Sequence, residues 1–112
     1  MNSISTHILD THRGCPASDV PIELRMLKAG VFEVISQGRT NSDGRLPGLM
    51  TGIDLEPGVY QMFFGTQEYH QALGIQGFYP YVEVTFEIVN TEQHYHVPLL
   101  ISPFGFSTYR GS

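Results

Sequence analysis

Cysteine is almost missing from this sequence: Cys15 is the only one in 112 residues. A single thiol excludes an intrachain disulfide and suits a reducing compartment. It sits beside Pro16 with only Arg13 as a nearby cation, so nothing marks it as an activated nucleophile. Lysine is equally scarce, with Lys28 alone, and the formal net charge is −5. Phosphate backbones are bound by clustered cations, so a nucleic-acid partner is excluded as a main role. The acidic balance does not forbid an anionic ligand, because a local group of His and Arg can override the global sign. Apolar runs are short, none near the roughly 18 residues of a membrane helix. The opening Met1-Asn2-Ser3-Ile4-Ser5-Thr6-His7 has neither a basic nor an apolar signal region. The ending Arg110-Gly111-Ser112 is not a peroxisomal address. The expected location is the cytoplasm. Also missing are a GxSxG elbow, a P-loop and a GxGxxG fingerprint. Hydrolysis by this chain would therefore use a water activated by histidine, whose neutral imidazole is the natural base near pH 7.

Short alternating runs separated by turn residues are present throughout, which predicts an all-β two-sheet sandwich over a single domain, residues 1–112. Ile4 to Asp10 reads as the first strand, followed by a loop from Thr11 to Pro16. Val20, Ile22, Leu24 and Met26 alternate with Pro21, Glu23 and Arg25, one face dry and one wet. Pro21 predicts that the start of this strand lies at a sheet edge or a bulge. A turn at Ala29-Gly30 leads to a strand over 31–40, and Asn41-Ser42-Asp43-Gly44 is a turn by composition. Residues 46–55 read as irregular and 58–65 as a buried strand. Thr66 to Leu73 predicts one short helix, with Thr66 as its cap, Glu68 in the first turn and Gly74 beyond its end. Val82 to Ile88 alternates again. His94 to Ile101 is a strand, Ser102 to Gly105 a turn, and Phe106 to the end the last strand. The total is seven to eight strands and one helix. The aromatic final hairpin points to a subunit interface.

Three histidines and an arginine are the candidates for chemistry. His7 shares a strand face with Ser5 and Leu9, opposite Ile4 and Ile8. A half-buried histidine with a backbone partner is the ordinary outcome there. His94 and His96 form an HxH pair, so a period of two puts both rings on one face with Pro98 and Leu100. Tyr95, Val97, Leu99 and Ile101 then face the core. HxH on a strand also fits zinc, with His7 as a third ligand, and the spacing alone does not decide. Arg45 follows the Asp43-Gly44 turn. It is either a solvated loop cation or a planar fork of donors for a carbonyl-rich ligand. Two histidines and an arginine around one carbonyl would cover water activation, proton delivery and oxyanion stabilisation.

Taken together, these segments resemble a known family. The run from His94 through Val97-Pro98-Leu99 and Ser102-Pro103-Phe104-Gly105 to Tyr109-Arg110-Gly111-Ser112 is similar to the hydroxyisourate hydrolases, the enzyme branch of the transthyretin-like family. So are Ser5-Thr6-His7-Ile8-Leu9-Asp10, Gly14 with Pro16-Ala17, and Gly38-Arg39-Thr40 leading to Asp43-Gly44-Arg45. The similarity spans essentially the whole chain. Phe104 and Phe106 stand where that family commonly has tyrosine. The resemblance implies a prealbumin-like sandwich, a homotetramer with active sites at the interface between dimers, and no metal or other cofactor. It implies hydrolysis of 5-hydroxyisourate, with His7, Arg45, His96 and Ser112 as catalytic groups. Substrate contacts would come from His7, Arg45, Tyr109, Arg110, Gly111 and Ser112. The main rival is a carrier of small hydrophobic ligands without catalysis, as transthyretin itself is, and a purely structural sandwich is a second. Neither would need His7, Arg45, His96 and the terminal tetrapeptide together. Fold alone licenses none of these functions.

Overall fold

Alternation of apolar and polar residues builds two four-stranded sheets around a shared core. A computed structural model describes residues 3–112. The elements are β1 (Ile4–Asp10), β2 (Cys15–Pro16), β3 (Pro21–Lys28), β4 (Val31–Arg39), β5 (Gly58–Phe64), α1 (Thr66–Ala72), β6 (Val82–Ile88), β7 (Tyr95–Ser102) and β8 (Gly105–Thr108). One sheet runs β2-β1-β7-β8 and the other β4-β3-β5-β6. The inward residues are the expected ones: Ile4 and Ile8 from β1, Ile22 and Leu24 from β3, Val97, Leu99 and Ile101 from β7. Ile8, Leu24 and Leu99 are completely enclosed. Truncating such a residue to alanine costs about 2–5 kcal/mol, because the cavity left behind collapses only in part.

Several details differ from the reading of the sequence. Pro21 does not sit at an edge. It opens β3, an interior strand between β4 and β5, and the bulge lies further along at Leu24/Arg25. A proline is tolerated there because the first residue of a strand can lack an N–H while its carbonyl still accepts, here from Gly65 N at 2.8 Å. Thr66 does not cap α1; Gly65 holds that position, and the Thr66 hydroxyl is buried with no partner among the described residues. Cys15–Pro16, read as loop, forms a two-residue strand on β1. Strand β8 ends at Thr108, although Gly111 pairs again with His96 in the same register. The β3–β4 hairpin turns as expected at Ala29 and Gly30. Both have positive φ, 51° and 80°, the geometry that matches strand twist in a two-residue loop.

The core face of β1 ends in a charge. Asp10 is 2% exposed, and its carboxylate accepts from the His12 and Arg13 backbone N–H groups and from the Tyr69 hydroxyl. Arg13 Nη1 donates to the same hydroxyl. Burial pushes the Asp10 carboxyl up, but these hydrogen bonds and the Arg13 charge outweigh it and hold the group below its usual range. Burial and the bond to Asp10 push the Tyr69 phenol up to about 12. This network ties α1 to the end of β1. Among the described residues, no helix is long and apolar enough to cross a membrane.

Candidate active site

Strands β1 and β7 lie side by side and parallel, the first strand of the chain against the last but one. Ser5 pairs with His96, and His7 pairs with Pro98. The outward side chains of this pair therefore place His7 and His96 on adjacent strands, one diagonal step apart. Each flank of the pair gains one more residue by an isolated bridge: Arg45 beside His7, and Gly111 beside His96. Arg45 and the terminal tetrapeptide, remote from each other in sequence, so come to opposite margins of one histidine-bearing surface.

Local chemistry fixes Arg45 there. The Asn41 side-chain oxygen accepts from the backbone N–H of Asp43 and of Arg45, at 2.9 and 3.0 Å, closing an Asx turn. Gly44 carries a φ of 75°, and its carbonyl accepts from Ile8 N at 2.8 Å. A Cβ at this position would strike the Ile8 carbonyl oxygen. Only glycine lets the turn lie this close to β1. The Arg45 side chain is exposed, and among the described residues it forms no salt bridge.

His96 is held from two sides. Gly111 N donates to the His96 carbonyl at 2.8 Å, and a Cβ on Gly111 would sit 2.6 Å from His96 Cδ2. The chain end therefore lies directly over the imidazole. On the other side, His96 Nδ1 meets the Ser5 hydroxyl at 2.8 Å. Burial lowers the His96 pKa below the ordinary histidine value, and the charges of Arg45, His94 and His7 push it the same way. At neutral pH the ring is therefore kept unprotonated, as a base must be.

The remaining expected residues are placed less uniformly. A depression of about 270 Å³ is lined by His96, Tyr109 and Arg110 with Tyr95, Phe86 and others. A second, of about 450 Å³, is lined by Arg45, Ser5, Thr6 and Pro47 among others. One chain thus does not gather Arg45 and the tetrapeptide into a single cavity. Tyr109 and Ser112 are exposed. Within the first depression the Arg110 guanidinium is already engaged: Nη2 donates to Gln93 Oε1 at 2.8 Å, and the group lies 4.4 Å from the centre of the Tyr95 ring. His94 and His96 stack at 6.4 Å rather than converging, and among the described residues no three His, Cys, Asp or Glu side chains are grouped to hold a metal.

Two residues were missed as participants. Ser3 and Ser5 are the hydrogen-bond partners of His94 and His96. Strand alternation puts Ser5 on the face of His7, but nothing local says that β1 pairs with β7. A third omission is His70 on α1, which is buried with neither ring nitrogen partnered among the described residues.

Comparison with known proteins identifies the family. The family model described as HIUase/Transthyretin family matches residues 4–111. The 5-hydroxyisourate hydrolase of Mus musculus is 45% identical over 111 residues, covering 97% of this chain and 94% of the mouse protein. The solved 5-hydroxyisourate hydrolase of Klebsiella pneumoniae superposes with a TM-score of 0.85 at 34% identity, covering 97% of this chain and 98% of that one. Sea bream transthyretin, solved in complex with thyroxine, superposes with a TM-score of 0.91 at 31% identity, over 96% and 93% of the two chains. With its two-sheet sandwich and near-complete match, this chain belongs to the HIUase/Transthyretin family.

Proposed function

We infer that this protein is a 5-hydroxyisourate hydrolase of urate degradation, the reading its full-length likeness to named hydrolases supports. Water opens a ring amide of 5-hydroxyisourate and yields 2-oxo-4-hydroxy-4-carboxy-5-ureidoimidazoline. One observation carries the mechanism: His7, His96 and Arg45 lie together on the outer surface of the β1–β7 pair. His7 and His96 hold the attacking water and take its proton. The depressed pKa of His96 supports that role, since the free base persists at neutral pH. Arg45 binds the polar substrate and faces the oxyanion that forms when water adds to the carbonyl. Tyr109 packs against the substrate ring, and Arg110, Gly111 and Ser112 frame it, with Ser112 donating a hydrogen bond.

The functional unit is a homotetramer with its sites at the interface between dimers. Two features support this: the two depressions divide the site residues within one chain, and large aromatics of the final hairpin stand in solvent, Phe104 at 75% exposure. Each chain contributes one hydrolase domain over residues 1–112, working in the cytoplasm without a cofactor. A hydrophobic-ligand carrier is the alternative that the superposition on transthyretin favours.

The test generates 5-hydroxyisourate from urate and urate oxidase and follows its ultraviolet decay with the purified, EDTA-treated protein. Accelerated decay that survives the chelator is expected. Decay at the spontaneous rate would leave the carrier reading, and activity returning only with added zinc would restore the metal reading of the same histidines.

A further inference from the structure

An unbroken line of hydrogen bonds runs from the His96 imidazole to the protein surface. His96 Nδ1 lies 2.8 Å from Ser5 Oγ, Ser5 Oγ lies 2.9 Å from His94 Nε2, and His94 Nδ1 lies 2.9 Å from Ser3 Oγ. The two rings stack nearly parallel, 16° apart, and His94 is exposed where His96 is half-buried. The backbone holds both ends of the line in place. Ser5 pairs with His96 in the β1–β7 register, and Tyr95 N donates to the Ser3 carbonyl at 2.8 Å.

Counting protons shows what this arrangement does. A serine hydroxyl has one hydrogen, and a neutral imidazole has one donor and one acceptor nitrogen. With a neutral ring at each end, Ser5 donates to one imidazole and accepts from the other. The tautomers of the two histidines are therefore locked together. In one direction, His96 Nδ1–H donates to Ser5, Ser5 donates to His94 Nε2, and His94 Nδ1–H donates to Ser3. His96 Nε2 is then bare. In the other direction every bond is reversed, and His96 Nε2 carries the hydrogen.

We propose that Ser3, Ser5 and His94 form a proton relay that switches His96 between base and acid by carrying its proton to and from solvent. The step balances as follows. Water gives a proton to the bare Nε2 of His96, and the Nδ1 proton passes to Ser5 as the hydrogen of Ser5 passes to His94 Nε2. His94, briefly an imidazolium donating to both serines, releases its Nδ1 proton through Ser3 to bulk water. His96 ends neutral, with a hydrogen on Nε2 to give to the nitrogen that leaves when the ring amide breaks. As that hydrogen leaves, Ser5 returns its hydrogen to His96 Nδ1, His94 Nε2 gives its own to Ser5, and His94 Nδ1 takes a proton from bulk water through Ser3, which restores the starting direction with both rings neutral. Exposure of His94 lets the proton leave, and partial burial of His96 explains why a conduit is needed.

Ser5 and His94 are thus positioning residues acting through His96, and the proposal rests on the hydrolase reading for its kinetic consequence. The charged and titratable groups that face His96 are Arg45, His7 and His94, and Arg110 and Glu87 line the same depression.

Two measurements test it. Long-range nitrogen–proton NMR of histidine-labelled protein reads the tautomers without requiring turnover, so it stands even if no hydrolysis is found. The coupling is expected to show as His94 and His96 spectra that change together in Ser5→Ala, with the wild-type pattern returning in Ser5→Thr. The second is kinetic. His94→Ala and Ser5→Ala are expected to lower kcat about tenfold with KM little changed, and imidazole buffer is expected to restore His94→Ala in proportion to its concentration without accelerating the wild type. Independent titration of the two rings, or an active wild type whose His94→Ala variant keeps full kcat or resists imidazole, would overturn the relay.

Discussion

The two outer faces of the sandwich are built on the same core and differ in how they treat an arginine. On the β3–β5 face, Arg25 is neutralised: it pairs with Glu23 at 2.9 Å and Glu83 at 2.7 Å, donates to Gln61, and packs over the Phe63 ring. On the β1–β7 face, Arg45 has imidazoles as its neighbours in place of carboxylates. A saturated guanidinium contributes to the surface of a fold and has no capacity left for a ligand. An arginine among neutral bases keeps its donors free for a developing negative charge. The same contrast separates two histidines. Burial lowers the pKa of both His96 and His70. His96, however, reaches Ser5 and the outer face of the β1–β7 pair, while His70 has no hydrogen-bond partner among the described residues and is 4% exposed. Burial of a histidine is therefore not by itself the mark of a site; the partners on its second nitrogen are.

The largest test of that contrast removes the bases. His96→Ala and His7→Ala are each expected to lower kcat by about 10²–10⁴, with thermal unfolding close to wild type; turnover near the wild-type rate in either would remove that residue from the mechanism. Next come the arginines. Arg45→Gln is expected to reduce kcat by about 10²–10³, as the loss of one oxyanion donor does. Arg25→Gln is expected to leave kcat unchanged and to cost about 0.2–1 kcal/mol in urea unfolding, the range for solvent-screened pairs. Equal losses of activity would erase the distinction between the faces.

A smaller change sharpens it further. Gly111→Ala puts a methyl group against the His96 ring, so either the chain end or the imidazole must shift. A misplaced reacting group can cost on the order of 10²-fold, and a drop in kcat of about ten- to a hundredfold is expected without loss of fold. Unchanged kinetics would mean that the chain end need not cover the ring.

The smallest effect is a pH dependence of stability. A histidine whose folded pKa is lowered is protonated more readily in the unfolded chain. Its contribution is therefore complete above the unfolded value near 6.5 and is lost as pH falls below it. Replacing His70 by leucine is expected to flatten the fall of Tm between about pH 6.5 and 5 while sparing kcat; an unaltered slope would mean that other groups set it.

Much of this was legible in the residues themselves. Strand alternation is a period-two property of the chain, so the inward sets on β1, β3, β6 and β7, the Ala29-Gly30 hairpin and the shared face of His94 and His96 followed from sequence. The turn before Arg45 left it open between a solvated loop cation and a ligand-binding fork; the family likeness favoured the second and added the terminal tetrapeptide, which no local pattern singles out. Backbone superposition adds little to that discrimination, since the TM-score is 0.91 against transthyretin and 0.85 against the hydrolase.

What only the tertiary structure decided is which strands meet. A parallel pair joins segments about 90 residues apart, and no turn between them reports the pairing. That single choice sets Ser5 beside His96 and His7 one step from it. It also lets Arg45 bridge one flank and Gly111 the other. Pro21 was misplaced for a related reason, because a residue's own chemistry does not say whether its strand has one neighbour or two. Alternation tells each strand which side faces inward; the identity of its neighbours is set by packing the two sheets over one core, and the chemistry of the site comes from those neighbours.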